Sequence, residues 1–204
     1  MCALLVDIGN SSAKVYDGES VRRIPNEELE CLRHEKVAYV CVDTKMAPIV
    51  SEWKNWIDLA RYVELPGSYE GMGEDRKLLC SYIDKGVIVD VGSAVTVDVM
   101  EEGIYQGGFL YPGVRALERA FASISPRLAC PIEGSDAQLA KDTCAQINYG
   151  ALVPLARHIR ELGIPCYLTG GDATLLAPLI PEAIVDQNLI FKAMRQIIQR
   201  KELC

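Results

Sequence analysis

Apolar and polar positions along this chain follow two rhythms, short continuous apolar runs and stripes at helical spacing. Ala3 to Ile8, Val37 to Val42 and Val87 to Val91 are β-branched or aliphatic almost throughout, which predicts strands buried on both faces. Shorter runs predict further strands at Ala13 to Tyr16, Val21 to Ile24, Tyr62 to Leu65, Tyr105 to Leu110, Pro165 to Leu168 and Ile184 to Asp186. Helical stripes cover Met46 to Ile57, Glu74 to Lys85, Arg115 to Ile124, Asp142 to Leu162 and Leu189 to Gln199, and a short surface helix is expected within Pro25 to Glu35. In the stripe beginning at Met46, residues Ile49, Val50, Trp53 and Ile57 share one face. Pro154 lies inside the longest stripe and is expected to kink or split it, because an interior proline costs about 3 kcal/mol. Hairpins and helices alternate twice over, so the pattern predicts an α/β protein of two similar lobes, 1–84 and 85–204.

A near-repeat supports that division. Val6 to Glu19 reads VDIGNSSAKVYDGE and Val89 to Gly103 reads VDVGSAVTVDVMEEG. Each has a buried run, then Asp-x-Gly with Ser or Asn-Ser, then a return strand. Glycine permits a tight turn and a close backbone approach to a ligand. The hydroxyl, amide and backbone N–H groups of such a turn suit phosphate oxygens, and a carboxylate at a strand end suits a hard cation. Either turn alone reads more readily as an ordinary hairpin. Two matched copies favour a pair of phosphate-binding turns. Neither fits the dinucleotide fingerprint or the P-loop, since the glycine spacing differs and a strand follows in place of a helix.

Composition narrows the classes. Half of the 204 residues are hydrophobic and the formal net charge is −7, which describes a globular chain and speaks against sequence-independent nucleic-acid binding. The 8 cysteines form no C-x-x-C pair and sit mostly in apolar runs, so they read as small buried residues in a reducing compartment; with only 2 histidines a zinc site is not expected. The N-terminus is apolar but short and lacks a basic flank, and no run reaches the ~20 residues of a membrane span. A cytoplasmic protein with no membrane partner is expected.

Two further stretches carry chemistry. Thr169-Gly170-Gly171-Asp172 follows a strand and precedes a helix; paired glycines leave room for a flat ring, though a tight strand-to-helix turn capped by Asp172 explains the stretch equally well. Gly73-Glu74-Asp75-Arg76 sets a carboxylate beside a guanidinium at a helix start. Phosphoryl transfer to an alcohol needs a carboxylate to accept the hydroxyl proton and cations to offset phosphoryl charge, whereas a helix cap with a surface arginine is the plainer reading.

The order of Asp-x-Gly, Asp-x-Gly and late Gly-Gly resembles the actin-like ATPase superfamily, with its two ribonuclease H-like lobes and a nucleotide cleft between them. Adding GEDR, GGFLYPG (Gly107 to Gly113), DVGSAVTVD (Asp90 to Asp98) and the segment KDTCAQINYG narrows the resemblance to the type III pantothenate kinases. That resemblance implies ATP-dependent phosphorylation of pantothenate to 4′-phosphopantothenate, the first step of coenzyme A synthesis. It implies that Asp7, Ile8, Gly9, Asn10, Ser11, Ser12, Ala13 and Lys14 bind ATP, with Asp7 near Mg²⁺, and that Ser93 also touches ATP. Asp75 is implied as the proton acceptor. Tyr69, Gly73, Glu74, Asp75, Arg76 and Thr143 are implied as pantothenate contacts, and Asp90 as ligand of a monovalent cation, K⁺ or NH₄⁺. A homodimer is implied as well, and the apolar segment GGFLYPGVRALERAF is compatible with an interface. The alternatives are a catalytically silent nucleotide-binding regulator on the same fold and a kinase for another small alcohol.

Overall fold

The computed structural model describes residues 4–163 and 165–203; Ala3, expected to start the first strand, and the cysteines at 2 and 204 lie outside the described residues. In chain order the elements are β1 (Leu4–Ile8), β2 (Ala13–Tyr16), β3 (Val21–Ile24), a 3₁₀ helix (Asn26–Leu32), β4 (Val37–Cys41), α1 (Ala47–Val50), β5 (Trp56–Asp58), a second 3₁₀ helix (Leu59–Tyr62) and α2 (Glu74–Tyr82). There follow β6 (Gly86–Val91), β7 (Ala94–Glu101), β8 (Ile104–Pro112), α3 (Val114–Ile124), α4 (Thr143–Glu161), β9 (Cys166–Thr169), α5 (Ala173–Leu176), β10 (Ile184–Val185) and α6 (Leu189–Arg200).

The first five strands form a sheet in the order β3-β2-β1-β4-β5 and the last five a sheet in the order β10-β9-β6-β7-β8. Read from β8, the second sheet has the winding of the first. In each, a central strand pairs antiparallel with the next one in sequence, which pairs antiparallel with a third, and its other edge carries two parallel strands. The reason is local. Short turns can only return a strand antiparallel, and the parallel partners arrive after longer connections. The repeated sequence is therefore a repeated supersecondary unit.

Each unit has its own core. Val6, Ile8, Val15, Leu29, Val37, Val50, Trp53 and Trp56 pack in the first, with the two tryptophan rings edge to face at 4.6 Å. Val89, Val97, Ile147, Leu152, Ile159, Leu168 and Leu176 pack in the second.

Four expectations change. The compact units are Met1–Tyr82 with Asn188–Cys204, and Ile83–Gln187, so the C-terminal segment joins the first unit and not a lobe 85–204. Helix α6 buries Phe191 and Met194, and Phe191 stacks on Tyr16 at 5.1 Å. Its amphipathic stripe marks a buried face without specifying which sheet covers it.

The helix expected over Met46 to Ile57 stops at Val50, because Trp53 and Trp56 both turn into the core and Trp56 Nε1 donates to the Leu32 carbonyl at 3.2 Å. The strand expected at Tyr62 to Leu65 forms earlier, as β5, and Asp58 ends it by accepting from the Ala60 amide at 3.0 Å. Helix α4 runs through Pro154 without splitting, with buried Val153 and Leu155 on either side of it.

The cysteine expectation holds for some positions and not for others. Cys166 is buried and Cys41 half-buried, and burial pushes each thiol up to about 11. Cys130 and Cys144 instead form a disulfide, with Cα atoms 5.4 Å apart. No helix among the described residues is long and apolar enough to cross a membrane.

Candidate functional site

In the first unit the β1–β2 register sets Asp7 opposite Lys14, and the two side chains meet at 3.2 Å, Lys14 Nζ to Asp7 Oδ2. Both are mostly shielded, at 13% and 24% side-chain exposure, which strengthens the pair relative to one in open water. The four residues between Ile8 and Ala13 make the turn, closed by the Gly9 amide donating to the Ser12 carbonyl at 3.2 Å. Asn10 and Ser11 are exposed, while the side chains of Ile8 and Ala13 are fully buried. Those two can offer a ligand only their backbone.

The loop before α2 converges on Asp75. Its Oδ1 accepts from the Arg76 amide at 2.7 Å. A Cβ at position 73 would stand 2.8 Å from that same oxygen, so glycine there makes room for the carboxylate. Arg76 is buried, at 8% exposure, and its Nη1 donates to the Tyr69 hydroxyl at 2.9 Å. Tyr69 itself is half exposed. Glu74 is turned along the helix to Lys77, Nζ to Oε1 at 2.9 Å. Burial pushes the Asp75 carboxyl above the usual carboxylate range, and the charge of Asp7 pushes the same way. The Arg76 amide hydrogen bond and the charges of Arg76 and Lys14 pull it back. Asp7, Lys14 and Arg76 thus all act on Asp75, a carboxylate biased toward holding a proton.

In the second unit Asp90 occupies the place in β6 that Asp7 has in β1. Its antiparallel partner is Thr96 and its parallel partner Thr169, so the third motif arrives beside the second by strand pairing. Gly170 has φ +91°, and a Cβ there would collide with Asp90 Oδ1 and the Val91 backbone. The Asp172 amide donates to the Val91 carbonyl at 3.0 Å. The helix after Gly171 is only the four residues of α5, and Asp172 makes no side-chain cap to it. Gly113, at the end of GGFLYPG, lies against the Gly92 and Ser93 carbonyls, where a Cβ would clash. Ser93 is exposed on its turn.

Thr143 is the exposed first residue of α4, capped by Asp142, whose Oδ1 accepts from the Ala145 amide at 2.9 Å. An open cavity of about 720 Å³ lies beside it, lined by Glu133, Asp136, Lys141, Asp142 and Asn148 among others, but Thr143 does not line it.

Three polar residues that sequence reasoning passed over organise these sites. Asn148 accepts from the Glu133 and Gly134 amides and donates to the Pro131 and Cys144 carbonyls, so it shapes the loop leading to Thr143. Asn26 and Asp43 brace the first turn: the Asn26 amide donates to the Gly9 carbonyl at 2.9 Å and to Asp43 Oδ2 at 2.8 Å. Nothing in the local pattern flags them: Asn26 and Asp43 are single polar residues beside turns, and Asn148 is a single polar residue on the buried face of α4.

Two sheets of one winding, each with an Asp-x-Gly turn after its central strand, define the actin-like ATPase fold. MreB5 of Spiroplasma citri bound to ADP has it at a TM-score of 0.51 and 10% identity, over 98% of this chain and 96% of that one. The family model for type III pantothenate kinase matches residues 50–163, and this chain belongs to that family. The type III pantothenate kinase of Sulfurimonas denitrificans is 35% identical over 98% of this chain and its own whole length. A crystal structure of a conserved Campylobacter jejuni protein, assigned to the Baf family of transcriptional activators, superposes at a TM-score of 0.90 with 32% identity, over 98% of this chain and 100% of that one.

Proposed function

We propose that this chain transfers the γ-phosphoryl group of ATP to the primary hydroxyl of pantothenate, with Asp75 as the proton acceptor. Family membership supplies the activity, and a family kinase works on ATP with a divalent metal. The observation that carries the residue assignment is Asp75 itself, which burial and Asp7 push above the ordinary carboxylate range. A general base is most effective when its proton affinity approaches that of its working pH.

In this reading the turn Asp7 to Lys14 holds the ATP phosphates through the Asn10 to Ser12 backbone and side chains and the Lys14 ammonium, and Ser93 adds a hydroxyl. Tyr69, Gly73, Glu74, Arg76 and Thr143 bind pantothenate, and Arg76 keeps a buried positive charge next to the reacting hydroxyl. Asp75 orients that hydroxyl and takes its proton as the oxygen attacks phosphorus. Charge on the transferring group is spread over fixed donors, which cost little reorganisation during reaction.

The donor sets fit the cations in different ways. No cluster of three or more His, Cys, Asp or Glu side chains able to hold a metal occurs among the described residues. Asp7 alone suits Mg²⁺, which keeps several waters and takes one or two carboxylates plus phosphate oxygens. Asp90 offers a carboxylate at the end of β6 for K⁺ or NH₄⁺, and the absence of a side chain at Gly170 lets its Oδ1 sit close against that turn. Such ions neutralise phosphoryl charge.

A homodimer is part of this reading. Strand β8 is an edge strand whose Leu110 is 62% exposed, and Ile124 at the end of α3 is 72% exposed; exposed apolar side chains such as these are compatible with an interface. Sedimentation at a monomer mass would remove it. A cytoplasmic location and the absence of a nucleic-acid partner follow the same reading, the latter from the net charge of −7.

The deciding experiment is ADP release with ATP, Mg²⁺ and K⁺ or NH₄⁺, with and without pantothenate. Turnover that requires pantothenate is expected; ATP binding without such turnover, or turnover with another alcohol alone, would overturn the assignment.

A further inference from the structure

Asn26 is buried at 7% exposure, and its two amide hydrogens are both committed, one to the Gly9 carbonyl at 2.9 Å and one to Asp43 Oδ2 at 2.8 Å. Its own Oδ1 is buried with no hydrogen-bond partner. Both neighbours of Nδ2 are acceptors, so the flipped amide would set oxygen against oxygen, and the orientation is decided by the surroundings. A buried asparagine that satisfies its donors and leaves its acceptor orphaned is held for what it donates to.

What it holds is one peptide plane. The preceding Ile8–Gly9 peptide is fixed at both ends, with the Ile8 carbonyl accepting from the Val42 amide at 3.0 Å and the Gly9 amide donating to Ser12. The next plane, Gly9–Asn10, has its carbonyl tied by Asn26, a residue 17 positions further on. A trans peptide is planar, so its C=O and N–H point in opposite directions. Anchoring the Gly9 carbonyl toward the 3₁₀ helix therefore turns the Asn10 N–H the other way, out of the exposed side of the turn. Asp43 completes the brace, since its Oδ1 accepts from the Lys45 and Met46 amides at 2.7 and 3.1 Å and is thereby fixed at the end of β4.

We propose that Asn26 is a positioning residue for phosphate binding: through the Gly9 carbonyl it presets the Asn10 amide as a donor to the nucleotide phosphates. This rests on the reading of Asp7 to Lys14 as the ATP turn. Without the tie, Gly9 is free to rotate the plane and offer a carbonyl oxygen to an anion.

The test compares wild type, Asn26→Ala and the exchange N26D/D43N, each checked for a cooperative thermal transition. The exchange keeps a donor–acceptor pair between positions 26 and 43 and keeps the acceptor for Lys45 and Met46, but places a carboxylate against the Gly9 carbonyl. Asn26→Ala is expected to weaken ATP, read as KM and as binding of a fluorescent ATP analogue, by about tenfold, the worth of one hydrogen bond. KM for pantothenate at saturating ATP stays unchanged. The exchange, with two acceptors opposed at Gly9, leaves ATP weak whether or not the link between positions 26 and 43 recovers thermal stability. Unchanged ATP affinity in a folded Asn26→Ala, or an exchange that restores ATP affinity together with stability, overturns the proposal. Should Asn26→Ala not fold, the exchange alone decides. Wild type that binds the analogue without pantothenate-dependent turnover refutes the kinase reading, while the binding comparison still judges Asn26.

Discussion

Asp7 and Asp75 repel: after burial, the charge of Asp7 is the largest influence raising the proton affinity of Asp75. One carboxylate stands at the end of β1 and the other at the start of α2, and Lys14 and Arg76 offset only part of the repulsion. A buried carboxylate with its proton affinity raised in this way is suited to accept a proton.

The first prediction concerns Asp75. Its folded-state pKa is raised, so the folded protein binds a proton more readily than the unfolded chain. The sign follows: stability is gained below the raised value and lost as pH rises through it. At neutral pH the ionised carboxylate is a cost, and Asp75→Asn should raise Tm while turnover falls by roughly 10²- to 10⁴-fold. Calorimetry and the ADP-release assay read the two effects, and a mutant that is active and destabilised would contradict both. In the wild type, kcat/KM for pantothenate should fall on the acid side with a midpoint above the ordinary aspartate value.

Tyr69→Phe tests the substrate loop. The hydroxyl accepts from a buried guanidinium, and its removal leaves one Arg76 N–H without that partner. KM for pantothenate should rise by about three- to tenfold, the range for one hydrogen bond at a half-exposed site, with KM for ATP unaffected. An equal rise in both would assign Tyr69 a structural role.

Gly170→Ala probes the second turn. The substitution forces φ +91° on a residue with a Cβ, at about 1–3 kcal/mol, and drives that Cβ into Asp90 Oδ1. Activation by K⁺ or NH₄⁺ should be lost or need much higher salt. Normal activation in the folded variant would show that the position of the Asp90 carboxylate does not matter to the cation.

The Cys130–Cys144 bridge should stabilise the second unit. It closes a separation of 14 residues, for which chain entropy gives about 3 kcal/mol. Denaturation with and without reductant, alongside Cys130→Ser, should show a loss of that order. Thiol titration of the native protein that finds both cysteines reduced would dismiss the bridge.

Much of this was legible beforehand, where short-range physics decides. The strands β1, β2, β4, β6 and β9 stood out because short, largely apolar runs bounded by turn residues read as strands. The repeat stood out for the same reason, and with it the two-lobed α/β class. The Asp7–Lys14 pair emerged only with the structure, where the four-residue turn sets the register that brings the two side chains together. Other features depend on residues distant in the chain. The stripe from Met46 has helical spacing, yet the core claims Trp53 and Trp56 and the helix ends after Val50. Helix α6 was visible as an amphipathic segment, but only packing decided that Phe191 would stack on Tyr16 in the first unit. Asn26, Asp43 and Asn148 left no mark, because a side chain that ties a backbone carbonyl 17 residues away has no periodicity to betray it. Local sequence determined the turns that carry the candidate chemistry; tertiary structure decided what braces them, because bracing contacts are long-range and polar.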